Sequence, residues 1–101
     1  MTSTEIVEQV DTDIEVKVPG MFKVLLHNDD TTTFDFVIEV LITIFHRSID
    51  DAISVTESIH VEGQGIAGSP YTQEVAEEKA LETIRFARAN GFPLVATFEE
   101  L

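Results

Sequence analysis

The chain has no cysteine, which excludes a disulfide framework, a thiol nucleophile and a thiolate metal site. It has few cations: six Lys and Arg stand against nineteen Asp and Glu, a formal net charge of −13. Nucleic-acid binding rests on Lys and Arg neutralising phosphates, so that class is excluded, and an anionic membrane surface is disfavoured for the same reason. No apolar run approaches the ~20 residues of a membrane-spanning helix. The first twenty residues, MTSTEIVEQVDTDIEVKVPG, lack the basic start and apolar centre of a signal peptide. The expectation is a cytoplasmic protein whose ligands are cationic or whose partners are basic, the charge also serving solubility.

The chain does have enough apolar sequence for one domain: 101 residues, 44% hydrophobic. Residues 1–19 read as a flexible acidic tail, because Glu5, Glu8, Asp11, Asp13 and Glu15 leave little to bury. Within it Ile14, Val16 and Val18 alternate with charges and could form a short edge strand. Pro19-Gly20 punctuates the chain, and residues 20–101 form the domain.

MFKVLLH (21–27) predicts a strand. Thr32 is the expected N-cap of a first helix, with Asp35 as a capping-box-like partner. Val37, Val40, Leu41, Ile44 and Phe45 give it a core-facing stripe, and His46-Arg47 suit its negative end. Ser48 caps a second helix with Asp50 and Asp51 in its first turn. Its Ile49, Ala52, Ile53, Thr56, Ile59 and His60 share a face, and Gly63 ends it. Ile66-Ala67 reads as a weak strand or loop. Thr72 starts a third helix with Val75, Ala76, Ala80, Leu81, Ile84 and Ala87 as its buried side, Arg85 and Arg88 in its last turns, and Asn90-Gly91 as its stop. LVATF after Pro93 is the final strand. The reading is a small α+β domain, a three-stranded antiparallel sheet packed with three helices in the order β-α-α-β-α-β.

Three motifs bear on chemistry. Gly63-Gln64-Gly65-Ile66-Ala67-Gly68 matches G-x-G-x-x-G, but a helix precedes it and a proline-containing loop follows, the reverse of a nucleotide fingerprint; a turn with positive φ is the simpler role. Asp29, Asp30 and His60, with His27 or His46 nearby, are metal-ligand types without a metal-site spacing, which leaves an Asp/His metal-dependent hydrolase as an alternative. The third is HNDDTTTFDF, His27 to Phe36, at a strand-to-helix junction. Asn28, Asp29 and Asp30 present acceptors suited to a small cation. Asx side chains also shape turns by bonding nearby backbone, and a lone His60 on an apolar face is most simply a core histidine. An acidic docking module with no ligand pocket is the remaining alternative.

Four segments in order add a resemblance: Asn28-Asp29-Asp30 leading through Thr31-Thr32-Thr33-Phe34-Asp35-Phe36-Val37, then Ile59-His60-Val61-Glu62-Gly63, Glu74-Val75-Ala76-Glu77-Glu78-Lys79, and Pro93-Leu94. From about Met21 to Glu100 the chain resembles the ClpS family of N-end rule adaptors. The resemblance implies a non-enzymatic adaptor without cofactor or metal. It would hold proteins beginning with Leu, Phe, Tyr or Trp, the N-degron substrates, and deliver them to the ClpA unfoldase of the ClpAP protease. By position, Asn28, Asp29, Asp30 and His60 would bind the substrate α-amino group. Phe34, Val37, Thr56, Ile59 and Leu94 would line the side-chain pocket, Glu74 and Lys79 would dock on the ClpA N-terminal domain, and the tail would serve delivery. The chain departs from the family at Thr33, where a helix-opening proline is usual, and at Phe34 and Thr56, where methionines are common.

Overall fold

A computed structural model describes residues 19–101. The chain runs β1 (Met21–His27), α1 (Phe34–Thr43), α2 (Ile49–Glu62), β2 (Gln64–Thr72), α3 (Gln73–Ala89) and β3 (Val95–Glu100). The three strands make one antiparallel sheet in the order β2-β1-β3. The expected fold class is therefore the observed one. The suggested tail strand at Ile14–Val18 lies outside the described residues.

β1 is central because it is the most apolar strand. Val24 and Leu26, on the face toward the helices, are buried together with Val37, Val40, Leu41, Ile44 and Phe45 of the first helix and its exit. Ala76, Ala80 and Ala87 let α3 lie close against the sheet. Small residues on a helix stripe bring backbones together, and the large residues of the sheet fill the space between them.

Local signals set most boundaries. Ser48 Oγ accepts from Asp51 N–H at 3.1 Å and Thr72 Oγ1 from Val75 N–H at 3.3 Å, both as expected N-caps. Gly63 ends α2 at φ 91°, a region that penalises a Cβ. Four readings need correction. The cap of α1 is Thr33, whose hydroxyl accepts from Phe36 N–H at 3.2 Å; Thr32 is committed to Asp29 instead. His46 and Arg47 do not sit in the last helical turn. His46 is itself in the left-handed region, φ 58°, and Arg47 crosses to the Ala67 and Ile66 carbonyls, at 2.8 and 3.2 Å, and to Asp51 at 3.0 Å.

The weak strand is a nine-residue one, β2, containing Pro70. Its register with β1 shifts between Phe22 and Val24 and again between Val24 and Leu25. Such bulges, on an edge strand, are where a residue without an N–H is tolerated; local pattern could not show them. Last, Val75 and Leu81 are exposed while Thr83 is fully buried, its hydroxyl satisfied by the Lys79 carbonyl at 2.9 Å. The buried stripe of α3 is rotated by this polar residue, which sequence pattern reads as surface. Ile49 and Ile53 on α2 are likewise exposed.

His46 offers a stability test. A left-handed L-residue is strained by roughly 1–2 kcal/mol, whereas glycine is not. Because glycine also loses more entropy on folding, His46→Gly is expected to raise stability by no more than about 1 kcal/mol, and His46→Val to lower it. Urea midpoints of the two variants check the signs.

Candidate functional site

The acceptor-rich turn is fastened to the end of α2. Asn28 N–H donates to the Gly63 carbonyl at 2.9 Å, which extends the β1–β2 ladder beyond His27↔Gln64. Gly63 N–H in turn donates to Ile59 O at 2.9 Å, closing α2. Two links therefore hold Asn28 to the turn of helix that carries Ile59 and His60. Across this junction Phe34, the first residue of α1, meets the His60 ring edge-on with centroids 5.1 Å apart. Asn28 and Phe34, six residues apart on the β1–α1 connection and the start of α1, thus meet His60 from α2 at one end of the sheet.

His60 is exposed, not the core histidine that pattern alone favoured. Asn28 and Asp30 are exposed as well. Asp29 is different. Its Oδ1 accepts from Thr31 N–H at 2.8 Å and Thr32 N–H at 2.6 Å, and its Oδ2 from the Thr32 hydroxyl at 2.7 Å. Partial burial pushes this carboxyl up. The Thr32 N–H and hydroxyl, the Thr31 N–H and the nearby Arg88 charge outweigh it and hold Asp29 below its ordinary 3.8. Asp29 thus builds the turn, while Asp30 keeps its carboxylate toward solvent.

This assigns a pH dependence. A carboxyl whose folded value is depressed stabilises the native state above its unfolded value, and the contribution fades as pH falls through the folded one. Asp29→Ala is expected to destabilise by about 1–3 kcal/mol at pH 7, for three lost hydrogen bonds to a charge. The gap between variant and wild type should narrow only below about pH 4. Urea unfolding at pH 7 and pH 3 checks it; a constant gap would place the effect elsewhere.

The expected pocket residues fall into two groups. Val37, Ile59 and Leu94 are buried in the core, and Thr56 is buried with its hydroxyl turned back to the Ala52 carbonyl at 2.7 Å. That bond leaves the Thr56 methyl as its apolar surface. Phe34 is 45% exposed. None of these five lines any of the four concavities described, which open elsewhere on the molecule. Four of the five expected pocket residues are packed into the core, and only Phe34 is exposed.

Arg88 is a positioning residue that sequence reading assigned only to the helix end. Its Nη1 donates to the Phe92 and Leu94 carbonyls at 3.0 and 2.8 Å. It thereby fixes the loop delivering Leu94 while its charge acts on Asp29. An Arg in the last turn before Asn-Gly-x-Pro carries no local sign of this reach.

Of the expected docking pair, Glu74 is exposed in the first turn of α3. Lys79 is partly buried: its Nζ donates to the Ile44 carbonyl at 2.9 Å and lies 5.7 and 5.8 Å from the ring centroids of Phe45 and Tyr71. His27 shares a 2.8 Å hydrogen bond with Thr97 on β3, and His46 stands in the α1–α2 turn. Among the described residues no three His, Asp or Glu side chains gather in a group that could hold a metal ion. Of the G-x-G-x-x-G glycines, Gly63 takes the positive-φ stop of α2, and the other two are spent on packing: a Cβ at Gly65 would lie 2.7 Å from Ile59 Cγ1, and one at Gly68 would overlap Tyr71 Oη. Among the described residues no helix is long and apolar enough to cross a membrane.

The family model described as "ATP-dependent Clp protease adaptor protein ClpS" matches residues 17–97. The chain belongs to the ClpS family, non-catalytic adaptors of the Clp protease. Among curated relatives, the ClpS adaptor of Oleidesulfovibrio alaskensis is 51% identical over 87 residues, 86% of this chain and 83% of that protein. That of Campylobacter jejuni is 44% identical over 100 residues, 99% of each chain. The solved structure of Agrobacterium tumefaciens ClpS2 bound to L-phenylalaninamide superposes with a TM-score of 0.76 at 35% identity, covering 81% of this chain and 98% of that one.

Proposed function

We propose that this adaptor recognises the first residue of a polypeptide, a free α-amino group followed by a bulky apolar side chain, and delivers the bearer to the ClpA unfoldase of ClpAP. The observation that carries the reading is the Asn28 N–H to Gly63 carbonyl bond. It joins the acceptor-rich turn to the His60 end of α2 beside an apolar wall. An α-ammonium donates hydrogen bonds and carries one positive charge. It is matched by an amide oxygen from Asn28, an imidazole nitrogen from His60 and carboxylate charge from Asp30, with Asp29 holding the turn. Thr56 methyl, Val37, Ile59 and Leu94 form the floor for the side chain, and Phe34 swings off His60 to admit it. Phenylalaninamide, bound by the relative, has these two features and an amide in place of the next peptide bond.

The physical scale fits. Each hydrogen bond to a charged group contributes about 1.5–3 kcal/mol, and burying a Leu or Phe side chain about 1.5–3 kcal/mol. After association costs, micromolar affinity, near about −8 kcal/mol, is within reach. Glu74 supplies an exposed charge for docking on the ClpA N-terminal domain. Lys79, with its ammonium turned inward, contributes there by holding Ile44 and the Phe45 and Tyr71 rings in place.

The test is a titration of labelled free-amine peptides that differ only in their first residue, followed by fluorescence anisotropy. Phe- and Leu-initiated peptides are expected to bind at least about tenfold more tightly than an Ala-initiated one, the value of one buried side chain. Asn28→Ala should weaken the Phe peptide without altering the protein's melting. Equal affinity across the first-residue series would overturn the reading.

A further inference from the structure

We propose that the two halves of the candidate site are read cooperatively, with Arg88 as the positioning residue that joins the Leu94 wall to the Asn28–Asp30 turn. Cooperativity of this kind presupposes the reading of the site as a receptor for a polypeptide's first residue. It adds that the amine and the first side chain strengthen each other's binding.

Leu94 hangs from the connection between α3 and β3, residues 90–94. Backbone bonds close the start of this loop. Gly91 N–H donates to the Arg88 carbonyl at 3.0 Å and Phe92 N–H to the Ala87 carbonyl at 2.9 Å, with Gly91 at φ 82°. The Phe92 and Leu94 carbonyls then turn back to one guanidinium nitrogen, Arg88 Nη1, at 3.0 and 2.8 Å. A shift of Leu94 therefore pulls on Arg88.

Two arms lead from this loop to the acceptor-rich turn. The first is aromatic. Phe92 packs on Phe36 with centroids 4.7 Å apart, and Phe36 on Phe86 at 5.1 Å. Phe36 N–H donates to the Thr33 hydroxyl at 3.2 Å. Thr33 follows Thr32, whose N–H and hydroxyl hold the Asp29 carboxylate. The second arm is Arg88 itself, whose charge acts on Asp29. Arg88 is exposed, so salt weakens this arm, while the aromatic arm is uncharged. Together the arms close a ring through Asp29, Thr32, Thr33, Phe36, Phe92 and Arg88.

Coupling between two sites needs an element with two arrangements that both sites bias. The Leu94 loop meets that condition. Leu94 is 1% exposed, and the expected walls line none of the four concavities described. A bulky first side chain thus has to displace packed atoms to enter, and packed cores shift between discrete arrangements. The ring carries that shift to the turn bearing Asn28 and Asp30. The half of the ligand that secures the open arrangement spares the other half the cost of reaching it, which is positive cooperativity.

A cycle of four peptides tests this: Phe- or Ala-initiated, each with a free or an acetylated amine. They are titrated into the full chain by anisotropy, with NMR shifts for the weakest. In the wild type, acetylation is expected to weaken the Phe peptide by a factor at least about fivefold larger than it weakens the Ala peptide. In Arg88→Gln the two factors should agree within about twofold, as independent sites do. Arg88→Lys, which keeps the charge without the planar fork, should lie between. Without ligand, the Asp29 carboxyl followed by NMR should titrate higher in Arg88→Gln than in Arg88→Lys, a difference that loosening of the loop alone would not produce. Equal factors in the wild type, with the free-amine and Phe preferences both intact, would overturn the coupling and leave the terminus reading standing; this result needs no variant to fold. Loss of either preference in the wild type would overturn the terminus reading and the coupling with it. An excess that persists unchanged in Arg88→Gln would remove Arg88 from the role.

Discussion

A Phe-initiated peptide with an acetylated amine is expected to bind at least about a hundredfold more weakly than the same peptide with a free amine, roughly 3 kcal/mol. Acetylation removes the positive charge and all but one of the donors while leaving the phenyl group untouched. On the proposed reading, Asn28, Asp30 and the His60 ring would then face a group that cannot satisfy them, and hydrogen bonds to charge contribute about 1.5–3 kcal/mol each. The exposure of Asn28, Asp30 and His60 keeps the expected loss toward the low end, because water re-solvates them and salt screens the long-range part. The comparison is therefore made at one ionic strength, by anisotropy. Free and acetylated peptides binding equally would show that the apolar wall alone does the recognition.

The largest stability effect is expected at the centre of the sheet. Leu26 is fully buried on the middle strand, flanked by β2 and β3 and facing the helices. Leu26→Ala leaves a cavity that two ladders prevent from collapsing, so a loss of about 3–5 kcal/mol is expected. That is a large part of the ~5–15 kcal/mol available to a domain of this kind. Leu81, 40% exposed on α3, is the control: Leu81→Ala should change stability by less than about 1 kcal/mol, since little apolar surface returns to water. Chemical denaturation followed by circular dichroism distinguishes them, and similar losses would mean that the helix stripe is set differently from the one described.

Much of the local structure could be read directly. Ser48 and Thr72 cap because a hydroxyl before an acidic first turn satisfies a free N–H, and Gly63 stops α2 because only glycine enters the left-handed region without strain. The misassigned cap of α1 has a specific cause. Three successive threonines are equivalent by residue type, and Asp29, three residues before Thr32, captures that hydroxyl, leaving Thr33 to cap. Pattern reading puts Val75 and Leu81 inside because it counts apolar residues. It misses Thr83, which is buried because its own helix satisfies its hydroxyl. β2 is hard to read from pattern because bulges and a proline break the alternation that marks a strand.

By itself the sequence determined the element order, the caps and stops at Ser48, Gly63 and Thr72, the apolar stripe of α1, and which residue types are available to meet a cation. These are contacts within a few residues, where backbone preference and capping act alone. Only the tertiary structure decided that β1 lies between β2 and β3, that Asn28 is fastened to the His60 end of α2 through the Gly63 carbonyl, and that Asp29 serves its turn while Asp30 faces solvent. It also decided that Arg88 reaches the Leu94 loop and that Lys79 turns inward to Ile44. The Asn28–Gly63 and Lys79–Ile44 bonds join partners 35 positions apart, a distance that only packing of the whole core sets; the Asp29 and Arg88 bonds are shorter in sequence, but residue type alone does not say which of several nearby partners each takes.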